Sequence, residues 1–90
     1  MKRIWLESYP PGVPHEVDTH ACPTLKHLLQ RSCARFRERP AFANLGVELS
    51  YGELDRLSRD FAAFLRSELR LEPGDRLAIM LPNVLQYPVA

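Results

Sequence analysis

The chain has 90 residues, enough for one small domain and too few for a multidomain enzyme. Hydrophobic residues make up 46% and charged residues 26%, which excludes a disordered chain of low hydrophobicity. The net charge of +1 lacks the basic excess of a dedicated nucleic-acid binder, and no apolar run approaches the roughly 18 residues of a membrane span.

Residues 1–23 read as a proline-rich arm. Met1 to Leu6 begins like a signal peptide, but Glu7 and then Pro10, Pro11 and Gly12 follow before any apolar core forms, so export is not expected. Pro10, Pro11, Pro14 and Pro23 each remove a backbone donor and fix φ, which rules out a long helix or a central strand. Trp5, Tyr9 and Val13 are large apolar groups that need a surface to cover them.

A first helix is predicted over Leu25 to Arg37. Thr24 is its N-cap, and Leu25, Leu28, Leu29, Cys33 and Phe36 recur at helical spacing as an apolar stripe. Arg35, Arg37 and Arg39 form a short basic patch, read as a solvated helix end. Pro40 prevents continuation. A short hairpin follows, with residues 41–44 and 47–49 flanking Leu45-Gly46.

Ser50-Tyr51-Gly52-Glu53 has the spacing of a capping box, with Leu49 and Leu54 placed as a hydrophobic staple. The second helix should run to about Leu69, burying Leu54, Leu57, Phe61, Leu65 and Leu69, with Ala62 and Phe64 at the margin. Asp55, Asp60 and Glu68 fall among arginines on the wet side, so they read as surface charge rather than a carboxylate pair for catalysis. Glu72-Pro73-Gly74-Asp75 is a turn. The apolar run Leu77 to Leu81 then reads as a strand buried on both faces, which suggests an α/β layout. Asn83 is placed to cap a last helix, with Gln86 completing a box. A strand buried on both faces needs neighbours, and the only other sheet material is a short hairpin. The last helix has barely begun at Ala90, so the chain is expected to be a fragment, incomplete as a domain.

Three histidines and two cysteines raise a metal site as one reading, but they lack the close paired spacing of zinc ligands. Exposed histidines with one core cysteine are preferred. Cys33 on the apolar stripe is read as an inert thiol, and its axial offset from Cys22, about 15 Å along a helix, argues against a disulfide. Two unpaired thiols fit a reducing compartment. Gly-rich phosphate cradles are absent. The Pro82-Asn83 turn, beyond a strand's carboxyl end, is the one local candidate for ligand contact, with the helix cap as the preferred alternative.

Residues 49–54, Leu-Ser-Tyr-Gly-Glu-Leu, resemble the first core motif of the adenylate-forming superfamily. Residues 73–83, from Pro73-Gly74-Asp75-Arg76 to Pro82-Asn83, resemble the strand and turn that follow in those enzymes. Trp5 with Tyr9-Pro10, Val13-Pro14 and Glu16, Arg39-Pro40-Ala41-Phe42 with Asn44-Leu45-Gly46, and residues 85–90 resemble the bacterial long-chain fatty acyl-CoA ligases. This resemblance implies an α/β fold, the start of a large N-terminal domain: helix, hairpin, helix, buried strand and the beginning of a helix, over residues 24–90. It implies a parent that joins fatty acid to CoA with Mg2+ and ATP through an acyl-AMP, in the cytoplasm or peripherally at the inner membrane face, with the arm as a homodimer contact. The family's phosphate loop, Thr-Glu pair, ribose-binding Asp and C-terminal lysine have no counterpart here. No catalytic, cofactor-binding or metal residue carries over, and the 90 residues alone are expected to be inactive. The alternatives are another adenylate-forming enzyme (an acyl-AMP, medium-chain or aryl-CoA ligase), a small non-enzymatic interaction module, or, more weakly, a membrane-surface helix. One departure stands out: Arg70 occupies the position where relatives often place Gly at the end of the second helix.

Overall fold

The Thr24 hydroxyl accepts a hydrogen bond from the His27 amide at 3.1 Å, and a helix (α1) runs from Leu25 to Arg35. In this computed structural model, which describes residues 1–90, α1 stops two residues short of the predicted Arg37. Residues 36–38 continue as a turn in which the Arg39 amide donates to the Phe36 carbonyl. Ahead of α1 the arm carries one 3₁₀ turn, Ile4–Ser8, and is otherwise irregular. An Arg3–Glu16 ion pair at 3.1 Å and an edge-on Tyr9–His15 ring contact hold it, while Trp5 and Val13 are each 49% exposed.

The predicted hairpin forms. Pro40–Asn44 (β1) and Val47–Ser50 (β2) pair antiparallel, with Asn44 opposite Val47 and a bulge between Pro40 and Phe42. Leu45 (φ +49°) and Gly46 (φ +79°) are the two central turn residues. Positive φ at both is what a two-residue hairpin turn requires for its twist to match the strands, and only the glycine adopts it without steric cost.

Ser50 ends β2 and caps the next helix, Tyr51–Ser67 (α2), with no linker between them. Leu49 and Leu54, the staple pair, join Cys33 of α1 as the only three buried residues. Ala41, Tyr51, Leu57, Leu85 and Val89 pack around them. The core therefore sits where α1, the hairpin and the first turn of α2 meet. The remainder of the predicted stripes is less covered. Leu25 is 82% exposed, Leu69 lies beyond the helix at 55%, and Leu57, Phe61 and Leu65 are half-buried.

Two expectations fail after α2. Leu77 to Leu81 is not a strand: the single sheet is β1–β2, and no backbone hydrogen bond involves residues 76–81. A strand exists only through its ladder, and this segment has no neighbour to pair with. The expected mixture of helix and strand is present as two helices on a two-stranded hairpin, while residues 77–81 are an unpaired apolar segment rather than a buried strand. Asn83 does not cap a helix either. The last helix (α3) is one short turn, Gln86–Val89, with Leu85 at its N-cap position and no side-chain cap. The Val84 amide donates to the Pro82 carbonyl instead, which holds Asn83 in a tight turn ahead of the helix.

Candidate functional site

The most ordered constellation is the junction of α1, β2 and α2. Ser50 and Glu53 close a complete capping box: the Glu53 amide donates to Ser50 Oγ at 3.2 Å, and the Ser50 amide donates to Glu53 Oε2 at 2.9 Å. The Ser50 hydroxyl also donates to the same carboxylate oxygen at 3.0 Å. The bond from the Ser50 amide, and secondly that from its hydroxyl, hold the Glu53 carboxyl below its ordinary pKa, because both stabilise the charged form.

Two further amides of the first turn of α2 are met by the chain leaving α1. The Tyr51 amide donates to the Arg39 carbonyl at 3.0 Å, and the Gly52 amide to the Arg37 carbonyl at 2.9 Å. Three of the amides that a helix start leaves open are thereby satisfied. The approach is close enough to select glycine: a Cβ on Gly52 would lie 3.0 Å from Arg37 Cγ and 3.2 Å from the Arg37 carbonyl oxygen. The role of Arg37 and Arg39 is thus carried by their backbones. Their side chains and that of Arg35 are exposed, with the Arg35 and Arg39 guanidinium carbons 5.1 and 5.4 Å from the Phe36 ring centroid. Sequence reasoning found the capping box but missed this double backbone contact. The one available signal was a glycine at the second position of a helix, where its low propensity needs a reason.

The Pro82-Asn83 turn is fixed from the hairpin. Asn44 Nδ2 donates to the Asn83 carbonyl at 2.8 Å, joining two segments 39 residues apart. Around this clasp lies a groove of about 600 Å³ lined by Leu29, Phe42, Leu54, Val84 and Tyr87 among others. A second groove of about 630 Å³ is lined by Leu49, Leu57, Phe61, Leu81, Leu85 and Val89, with Gln86 as its one polar side chain. Neither is lined by a charged side chain, and the Tyr87 phenol is the one titratable group on either. They are apolar surfaces suited to being covered.

The other singled-out residues are dispersed. Cys33 is 2% exposed, and burial, with Asp55 adding to it, pushes its thiol pKa up against the smaller opposing effect of Arg59. A thiol held protonated is a poor nucleophile. Cys22 is likewise free, at the end of the arm. Asp55 and Asp60 form i,i+4 bridges along α2 with Arg59 at 2.9 Å and Arg56 at 3.6 Å; Asp60 lies on the wet face as expected, whereas the Asp55 side chain is half-buried on the side toward Cys33. No group of three or more His, Cys, Asp or Glu side chains converges, and no helix is long and apolar enough to cross a membrane.

With this geometry in place, the comparisons with known proteins decide the family. A family model described as AMP-binding enzyme matches residues 29–90. The chain belongs to the AMP-binding enzyme family. Over all 90 residues it is 44% identical to a long-chain-fatty-acid–CoA ligase of Escherichia coli O6:H1, and over 89 residues 38% identical to one of Bacillus subtilis. Over 67 residues, 74% of the chain, it is 37% identical to a 3-[(3aS,4S,7aS)-7a-methyl-1,5-dioxo-octahydro-1H-inden-4-yl]propanoyl:CoA ligase of Rhodococcus jostii. The matched region spans 16% of each of the first two relatives and 13% of the third. No solved structure matches. The family match takes in α1 from Leu29 onward, the hairpin, α2 and the clasped turn, and leaves out the arm, which the alignment over all 90 residues to the E. coli ligase includes.

Proposed function

We propose that these residues are the opening segment of a long-chain fatty acid–CoA ligase, and that their role in it is architectural. The observation that carries this is the identity over the full 90 residues, arm included, to proteins of that name. The longer polypeptide would convert a fatty acid and ATP to acyl-AMP and pyrophosphate, and the CoA thiol would then displace AMP to give acyl-CoA. The residues present do not fit ATP, CoA or Mg2+. The two apolar grooves lack cations and carboxylates, and no group of three or more His, Cys, Asp or Glu side chains converges, so no step of that reaction is assigned to this segment.

The degree of burial supports the architectural reading. Only three of 90 residues are buried, and the radius of gyration is 17.4 Å, against about 12 Å for a compact domain of this length. The accessible surface is 8223 Å², where a folded monomer of this mass exposes about 5,400 Å². Surface of that extent, apolar on the two grooves and on residues 77–81, is what a segment shows when the remainder of its domain covers it. In the longer protein, residues 24–90 would open the large adenylation domain, with residues 77–81 as an inner strand of an α/β sheet. The exposed arm, with Trp5, Tyr9 and Val13 uncovered, is suited to a homodimer contact. Cytoplasmic residence with peripheral membrane contact suits a lipid substrate.

Immunodetection with an antibody against residues 1–20 tests the reading. The expected product in the source cells is several times heavier than 10.3 kDa, and releases AMP from ATP only when fatty acid is supplied. A product of 10.3 kDa would replace this reading with a small interaction module. A heavy product that activates an aromatic or medium-chain acid, and not a long-chain one, would move it to another branch of the family.

A further inference from the structure

The side chains of Arg31, Arg35 and Arg39 have no role in the architecture described so far. Between Asp18 and Glu38 the sequence has no acidic residue, while Lys26, Arg31, Arg35 and Arg37 all fall there, in a chain whose net charge is only +1. Arg31 and Arg35 stand two positions either side of the buried Cys33, which turns both to the outer side of α1, one helical turn apart. Arg35 and Arg39 meet at one ring. Their guanidinium carbons lie 5.1 and 5.4 Å from the Phe36 centroid, and Tyr51 of α2 packs against that ring at 5.9 Å. Arg31, Arg35 and Arg39 thus form one exposed row. None of them pairs with an acid, since the salt bridges of the chain use Arg3, Arg56 and Arg59. Like charges one turn apart weaken a helix. The dipole of α1 favours a cation only in the last turn, which accounts for Arg35 alone.

We propose that this row of arginines is a contact surface for the phosphate groups of an anionic phospholipid membrane. The planar guanidinium fork matches phosphate oxygens two at a time. Neither apolar groove is lined by any of the three, so they present forks along an outer edge, which fits an array of headgroups rather than one enclosed anion. Single-stranded nucleic acid is disfavoured, because the Phe36 ring already has two arginines and Tyr51 against it and offers no free face for a base to stack on. A longer polypeptide would cover the apolar grooves but not this row, since burying guanidiniums without counter-charge carries a heavy cost. The choice of a lipid surface rests on the ligase reading, whose substrate would be met there, whereas the row itself rests on charge and geometry.

Co-sedimentation of the 90-residue chain with vesicles tests the surface. Phosphatidylcholine vesicles containing phosphatidylglycerol should bind it, and phosphatidylcholine alone should bind it far more weakly. Arg31→Gln, Arg35→Gln and Arg39→Gln combined should weaken binding to the mixed vesicles roughly 100-fold, since each surface cation contributes about fivefold. Arg39→Gln alone should lose about fivefold, and far-UV circular dichroism should be unchanged in both. Arg66→Gln, Arg70→Gln and Arg76→Gln combined remove the same charge elsewhere and should bind nearly as tightly as the native chain. Raising salt from about 0.1 to about 1 M, which shortens the Debye length from about 10 to about 3 Å, should release the chain. Equal binding to both vesicle types, or an equal loss in the two triple variants, overturns the proposal. So does tighter binding to a DNA duplex than to the mixed vesicles, which would make the row a nucleic-acid surface. The outcome separates from the ligase reading. Row-dependent vesicle binding by a product of 10.3 kDa would keep the surface and discard the ligase, and a heavy, fatty-acid-dependent product without such binding would do the reverse.

Discussion

At the residue scale, Ser50 and Glu53 determine where α2 begins, and each acts through hydrogen bonds the other completes. Ser50→Ala removes the acceptor for the Glu53 amide and is expected to cost about 0.5–2 kcal/mol, read as a lower urea midpoint of the 90-residue chain. Glu53 adds a pH dependence whose sign follows from its lowered folded pKa. The unfolded chain takes up the proton first as pH falls, so the box's contribution is present above about pH 4.3 and is lost as pH drops through the folded value. Glu53→Gln retains the acceptor and removes the titration. The difference in midpoint between native and Gln chains should therefore stay constant from pH 8 to about pH 5 and shrink below it. Gly52→Ala brings two opposing effects together. Alanine raises helix propensity by roughly 0.5–1 kcal/mol, but its Cβ meets a carbonyl oxygen already held by the Gly52 amide. The backbone contact should prevail and lower the midpoint, and a rise would mean the 37–39 turn yields freely.

At the element scale, the two strained positions lie where elements end. Leu45 holds φ +49° in the hairpin turn and is 95% exposed, so its side chain gains nothing from the conformation it adopts. Leu45→Asn should stabilise the hairpin by about 1 kcal/mol, since Asn tolerates the left-handed region. Arg70 holds φ +55° just past α2, where the Leu71 amide turns back to the Leu65 carbonyl at 3.0 Å. The departure from glycine noted in the sequence thus corresponds to a left-handed residue bearing a side chain. Arg70→Gly should raise stability by about 1 kcal/mol, measured as a higher melting temperature with the helical signal unchanged. These elements were legible because their determinants are local: Thr24, Ser50 and the Leu45-Gly46 turn each act within a few residues. The last helix was misread for the converse reason. Asn83 is a good cap by type, but Asn44, 39 positions away, holds its carbonyl in a turn that no local pattern reveals.

At the scale of the whole molecule, three buried side chains at one junction hold two helices and a hairpin, and the arm and residues 70–82 extend from it to give dimensions of 54 × 36 × 26 Å. Dilute-solution X-ray scattering of the chain should therefore give a radius of gyration near 17.4 Å rather than the roughly 12 Å of a closed domain. Collapse to the smaller value would mean that residues 77–81 find cover within the chain, and would remove the burial support for the architectural reading.

The sequence by itself determined the family, through motifs that are local and ordered along the chain, and it determined each element whose cap or turn is written in adjacent residues. Only the tertiary structure decided which apolar residues are buried. The helical stripes mark many as fit for a core, but burial needs a second surface, and the chain supplies one only around Cys33, Leu49 and Leu54. The same reason leaves Leu77 to Leu81 unpaired: composition can make a segment suited to a sheet, while a strand forms only when another backbone lies beside it.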